Sequence, residues 1–257
     1  MLLAAVALGI VALQWPRGQG PVPDDGARAA SVDDALPTPA PATADEGFAL
    51  WGRDQHGGPL RWDACAPVTF VLSPVDAPAH AEADVRAALA MLAEASGLEL
   101  VLEGMTDERP DARRPLVARS GDGWRWRPVL VAWARPEATD LPLTMLDRGV
   151  AVPVSVRDGD REGLVTGQVV INAARTDLVA GFGDRSDAVG ATLLHELGHV
   201  LGLDHVDDVA QIMSEDPGSG PVRFGDGDLA GLRAVGSDAG CRPAPAPASG
   251  RGLTGAP

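Results

Sequence analysis

Three of the five histidines in this 257-residue chain fall in one stretch, HELGHVLGLDH, which runs from His195 to His205 and includes Glu196. Residues four apart on a helix share a face, so His195 and His199 form a pair of imidazoles pointing the same way. His205 would lie about 15 Å from His195 along an unbroken helix rising ~1.5 Å per residue. Two nitrogens bound to one zinc at ~2.0–2.1 Å each can be no more than about 4 Å apart. The helix must therefore end between His199 and His205, and Gly202 is where a left-handed, helix-ending turn costs least. Three neutral imidazoles leave the fourth position on zinc for water, which the metal acidifies toward a pKa of ~7 while it polarises a carbonyl. Neighbouring helical side chains diverge by about 100°, so Glu196 is not a ligand. It is instead placed to take the water's proton and pass it to a leaving amine. Such a site could hydrolyse a peptide bond without a covalent intermediate.

Such a site needs a helix to carry it and a surface to hold the substrate. SDAVGATLLHELGHVLGL, from Ser186, supplies a capping serine and a long apolar-rich helix. Upstream, VTFVLSPV (Val68 to Val75) has strand composition, EADVRAALAMLAEASG (Glu82 to Gly97) has helical apolar spacing closed by glycine, and LELVLEG returns as a strand. WRPVLVAWA (Trp126 to Ala134), GVAVPVSVR (Gly149 to Arg157) and VTGQVVINA (Val165 to Ala173) are three further strands. The alternation predicts an α/β or α+β sheet. Pro153 cannot donate to a ladder, so its strand belongs at an edge. An edge strand can add an extended peptide, which makes Val150, Val152 and Val154 the candidate substrate-strand positions.

A net charge of -15, with no lysine in the chain, excludes the clustered positive charge of a nucleic-acid or anionic-lipid surface. Hydrophobic residues make up 45% of the chain, ample for one packed core. The apolar run MLLAAVALGIVALQW precedes Pro16 and Arg17 and is shorter than the ~20 residues that span a bilayer. It reads as an export signal or an uncleaved anchor over residues 1–18, although the basic region expected before Leu2 is missing. Residues 19–46 are expected to form a disordered Pro/Ala-rich linker, 47–241 the folded domain, and 242–257 a disordered tail of similar composition. Cys65 and Cys241 stand near the ends of that domain, and in an exported protein they should pair. The rival is Cys65 as a zinc-binding latch.

The run from His195 to His205 matches H-E-x-x-H-x-x-G-x-x-H, and with Met213 in QIMSED it resembles the metzincin zinc peptidases and their Met-turn. FGDGDLAGLRAVG, from Phe224 to Gly236 with Asp226 and Asp228 at its start, resembles the terminal helix of the matrixins within that clan. The resemblance implies an α+β fold: a twisted, mostly parallel sheet with an antiparallel edge strand, an active-site helix, a Met-turn and a C-terminal helix. It also implies one catalytic zinc on His195, His199 and His205, Glu196 as general base, and a polypeptide substrate.

The sequence departs from the matrixins in carrying Val206 where they usually have serine, in lacking a PRCGxPD-like segment before Gly47, and in having no tyrosine to approach the metal. Calcium ligation stays open but unsupported, since Asp158, Asp160, Asp207 and Asp208 read better as solvated loop residues. The expected protein is a monomeric zinc endopeptidase, secreted or tethered to the outer face of the cytoplasmic membrane, touching membrane only through its N-terminal segment. The alternative is a non-catalytic zinc scaffold that binds a cell-surface or extracellular partner.

Overall fold

Branched apolar residues alternating with half-buried ones make VTFVL a strand, and its neighbours follow the same rule. The computed structural model describes residues 47–183, 188–215 and 223–247. The export segment, the linker, the Ser186 cap and the end of the tail lie outside them. In chain order the elements are β1 (Ala49–Leu50), β2 (Val68–Leu72), α1 (Ala81–Ser96), β3 (Leu100–Met105), β4 (Val117–Ser120), β5 (Gly123–Trp126), β6 (Val129–Ala134), β7 (Gly149–Asp158), β8 (Arg161–Asn172), α2 (Val189–Leu201), β9 (Leu203–Asp204) and α3 (Asp226–Val235).

The main sheet has the order β3-β2-β6-β8-β7. Its first four strands are mutually parallel, and β7 runs antiparallel to β8 at the edge. The fold is α+β, and Pro153 sits on the edge strand as its missing N–H requires. All six residues of β6 are buried, as befits a central strand covered on both faces.

Alternate side chains serve different layers. Phe70, Val131, Val169 and Ile171 face the helices, packing against Leu92 of α1 and Leu193 and Leu197 of α2. On the other face Val152 and Val170 pack with Leu141 and Leu143, and Val154 and Val156 with Leu116. Helix α1 buries Val85, Ala88, Leu89 and Leu92, the three- and four-residue spacing of one helical stripe, and stops where Gly97 adopts φ 69°.

Two differences from the sequence reading have local causes. The run from Trp126 to Ala134 is not one strand, because Pro128 interrupts it; Trp126 closes β5, and the Pro128 carbonyl accepts a bond from the Arg114 guanidinium (2.9 Å). The hairpin of β4 and β5 was not anticipated, although Ser120 pairs with Gly123 across Gly121 and Asp122, with Gly121 at φ 57°.

The two ends of the domain are joined. Cys65 and Cys241 form a disulfide with their Cα atoms 5.1 Å apart and a sequence separation of 176. Arg61 donates to the carbonyls of Gly240 (2.8 Å) and Ala239 (2.9 Å), and Arg242 pairs with buried Asp54. The chain continues along the domain past Cys241, where the Pro245 carbonyl accepts a bond from Trp126 Nε1 (2.9 Å). Closing so long a loop restricts the unfolded chain, so replacing both cysteines by serine should lower stability by about 2–5 kcal/mol. Chemical denaturation of the oxidised chain against the Cys65→Ser/Cys241→Ser variant measures it, and equal stability would show the bridge to be energetically idle.

Candidate functional site

Helix α2 is anchored by Leu193, Leu194, Leu197 and Leu201, none of which has any exposed surface. That apolar stripe fixes the opposite flank, which bears His195, Glu196 and His199. The helix ends at Gly202, whose φ of 111° is left-handed and whose N–H reaches back to Gly198 and His199. A side chain there would also stand 2.8 Å from the Leu60 carbonyl. The turn sends the chain into β9, which pairs with β1, and delivers His205 to the other two histidines.

The three Nε2 atoms lie 3.1 Å (His195 to His205), 3.2 Å (His195 to His199) and 3.2 Å (His199 to His205) apart. Nitrogens sharing a tetrahedral zinc at ~2.0–2.1 Å would be about 3.3 Å apart, so the residues present fit that ion. Among the described residues these three imidazoles are the group able to hold a metal. Asp158 and Asp160 lie at the tight β7–β8 turn, and Asp208 accepts the Ala210 N–H (2.9 Å).

Two carbonyls fix the tautomers. His195 Nδ1 lies 2.7 Å from the Ile212 carbonyl and His199 Nδ1 3.0 Å from that of Leu203. A carbonyl can only accept, so both Nδ1 atoms carry the hydrogen and both Nε2 lone pairs face the centre. Burial, helped by the nearby His205, pushes His195 down to about 4. Burial and the neighbouring His195 and His205 push His199 well below its ordinary value. Neutral imidazole is the form that ligates.

Glu196 shares a cleft of about 640 Å³ with the histidines, bounded by Trp51, Asp147, Gly149, Val150 and Ala151. Burial and the charge of Asp147 raise its carboxyl to about 8. A carboxyl in that range can take and return a proton near neutral pH. Of the substrate-strand positions, Val150 borders the cleft at the start of β7 while packing with Val152 and Val170, and Val152 and Val154 are buried further along that same face, away from the cleft.

Met213 is buried beneath α2, and a Cβ on Gly198 would stand 2.5 Å from its sulfur. The turn carrying it is pinned by the Val206 N–H to the Met213 carbonyl (2.9 Å) and by buried Asp228 at the start of α3. Asp228 accepts the N–H groups of Ile212 (2.6 Å), Met213 (3.1 Å) and Gly225 (2.8 Å). The Asp228 N–H in turn donates to Gln211 Oε1 (2.8 Å). The sequence placed Asp228 at a helix start but gave no sign that it reaches across to the residue whose carbonyl orients His195.

Neither a protein-family model nor a curated protein sequence matches the chain. Among solved structures it is similar to metalloproteinase-II from Bacteroides fragilis, at 15% identity and a TM-score of 0.38, over 69% of this chain. The chain spans 55% of that protein's length. At that level the likeness bears on neither mechanism nor substrate.

Asp228→Asn should weaken the whole assembly, because one amide oxygen cannot accept what two carboxylate oxygens accept and the amide NH₂ would face other donors. The expected loss is about 1–3 kcal/mol of stability, with metal affinity lower by ~10-fold, the smaller end for residues that orient ligands. Thermal denaturation and metal titration read the two effects. Unchanged metal affinity would mean that the Ile212 carbonyl keeps its place without Asp228.

Proposed function

We propose that the chain is an exported zinc endopeptidase of the metzincin type, matrixin-like in its motif, with the catalytic unit between Gly47 and Cys241. The observation that carries this reading is the convergence of three Nε2 atoms within 3.2 Å, two of them oriented by backbone carbonyls, in one cleft with a buried glutamate. His195, His199 and His205 would hold the ion. When bound, zinc supplies Lewis acidity that acidifies water and polarises a peptide carbonyl.

The protein's own groups do the rest. Glu196 accepts the proton of the attacking water and returns it to the leaving amine. The Ile212 and Leu203 carbonyls hold the imidazoles in register, and Met213 fills the space under Gly198. An extended polypeptide would lie along the start of β7, at Gly149, Val150 and Ala151, where the edge strand borders the cleft.

The disulfide supports export, since such bonds persist in oxidising compartments. No helix among the described residues is long and apolar enough to cross a membrane.

Incubating the zinc-loaded chain with a diverse peptide pool, with cleavage read by mass spectrometry, tests the reading. Glu196→Gln keeps the shape but removes the proton acceptor. It should retain zinc and folding while cleaving at least ~100-fold more slowly, as removal of a positioned general base does. A zinc-loaded wild type that cleaves nothing in the pool would turn the assignment toward the non-catalytic scaffold. His199→Ala should lose the metal, and full zinc content by elemental analysis would refute the ligand set.

A further inference from the structure

Gly149 opens the edge strand opposite Ile171. Its φ lies outside the left-handed range, so its backbone suits any residue. Glycine in a strand forfeits side-chain packing and costs backbone entropy, and it often marks a close approach. Here the approach is to Glu196. A Cβ on Gly149 would stand 2.9 Å from Glu196 Cγ, 3.1 Å from Oε1 and 3.2 Å from Cδ, and these are its three nearest atoms. Carbon atoms in contact prefer ~3.5–4.0 Å, so an added methyl needs about half an ångström that is not there.

Neither backbone can yield that space. The Arg148 carbonyl accepts the Asn172 N–H (2.9 Å), and Asn172 Nδ2 holds the carbonyls of Asp147 (2.8 Å) and Thr144 (3.0 Å). On the other side, α2 is locked by its fully buried leucines. The part free to move is the Glu196 side chain.

We propose that Gly149 is a positioning residue for Glu196: the volume left by its missing side chain is the seat of the Glu196 arm, and the size of residue 149 sets where the carboxylate stands in the cleft. The inference rests on the peptidase reading for its consequence, though not for the contact itself. Misplacing a reacting group by about 1 Å can cost ~100-fold in rate.

The test is Gly149→Ala in the full chain. With zinc bound, kcat should fall by about 10–100-fold while zinc content stays near wild type. In a Glu196→Gln background the same substitution should cost nothing further. In metal-free protein labelled with ¹³C-glutamate, the Glu196 carboxyl signal, identified by its loss in Glu196→Gln, should move while other glutamates stay put. Wild-type kcat in Gly149→Ala, an unmoved signal, or an equal further loss in the Glu196→Gln background would each overturn the proposal. Should Gly149→Ala fail to fold, Gly149→Ala/Glu196→Ala decides: recovered folding supports the contact, and none overturns it. A wild type that cleaves nothing while the signal still moves would sink the peptidase reading and leave the contact standing.

Discussion

The site depends on holding three imidazole Nε2 atoms within 3.2 Å of one another, with the lone pairs of His195 and His199 aimed inward. Left alone, such nitrogens would turn toward water or toward donors, because like dipoles at that distance repel. Two carbonyls prevent it at His195 and His199 by occupying the opposite ring nitrogen. Those carbonyls come from segments far apart in function: Leu203 belongs to β9, which pairs with β1 near the start of the domain, and Ile212 belongs to the turn tied down by Asp228 of α3. Helix, N-terminal strand, Met-bearing turn and last helix are therefore one mechanical unit.

The rest of α2 supplies the rigidity. Its polar flank sets Glu196 and His199 in surroundings that push the carboxyl and the imidazole toward their uncharged forms. Burying such groups is unfavourable unless they are satisfied by bonds or by an ion. The opposing leucine stripe packs against the sheet through Val131, Val169 and Ile171 and offsets that cost.

Much of this was legible because it obeys local rules. The spacing of His195, His199 and His205 with Gly202 fixed the end of the helix, since a continuous helix could not bring the third imidazole near the first two. Pro153 marked the edge strand because its lack of an N–H acts on any ladder. Gly97 closed α1 at the residue the pattern implied. The parts that stayed hidden involve partners distant in sequence. Nothing in FGDGDL states that Asp228 will accept bonds from Ile212 and Met213, because that requires knowing which turn lies above the helix start. The β4–β5 hairpin was obscured by its polar, half-exposed strands, although Gly121-Asp122 is a recognisable turn. Val150, Val152 and Val154 share one face of β7, as their spacing implies, but only the start of the strand borders the cleft, while Val152 and Val154 lie under Leu141, Leu143 and Leu116.

The glycines separate these two kinds of information. Gly202 is needed for a backbone angle, a property of the chain itself, and so it was found from spacing. Gly198 and Gly149 are needed for room, a property of what approaches them: the Met213 sulfur in one case and the Glu196 arm in the other. Both sit at contacts where two rigid elements meet without a side chain between them. At Gly149 the contact joins the start of the edge strand to the flank of α2 that carries Glu196. The strand proposed to align the substrate and the carboxylate proposed to act on it thus share one van der Waals surface, so neither can shift without moving the other.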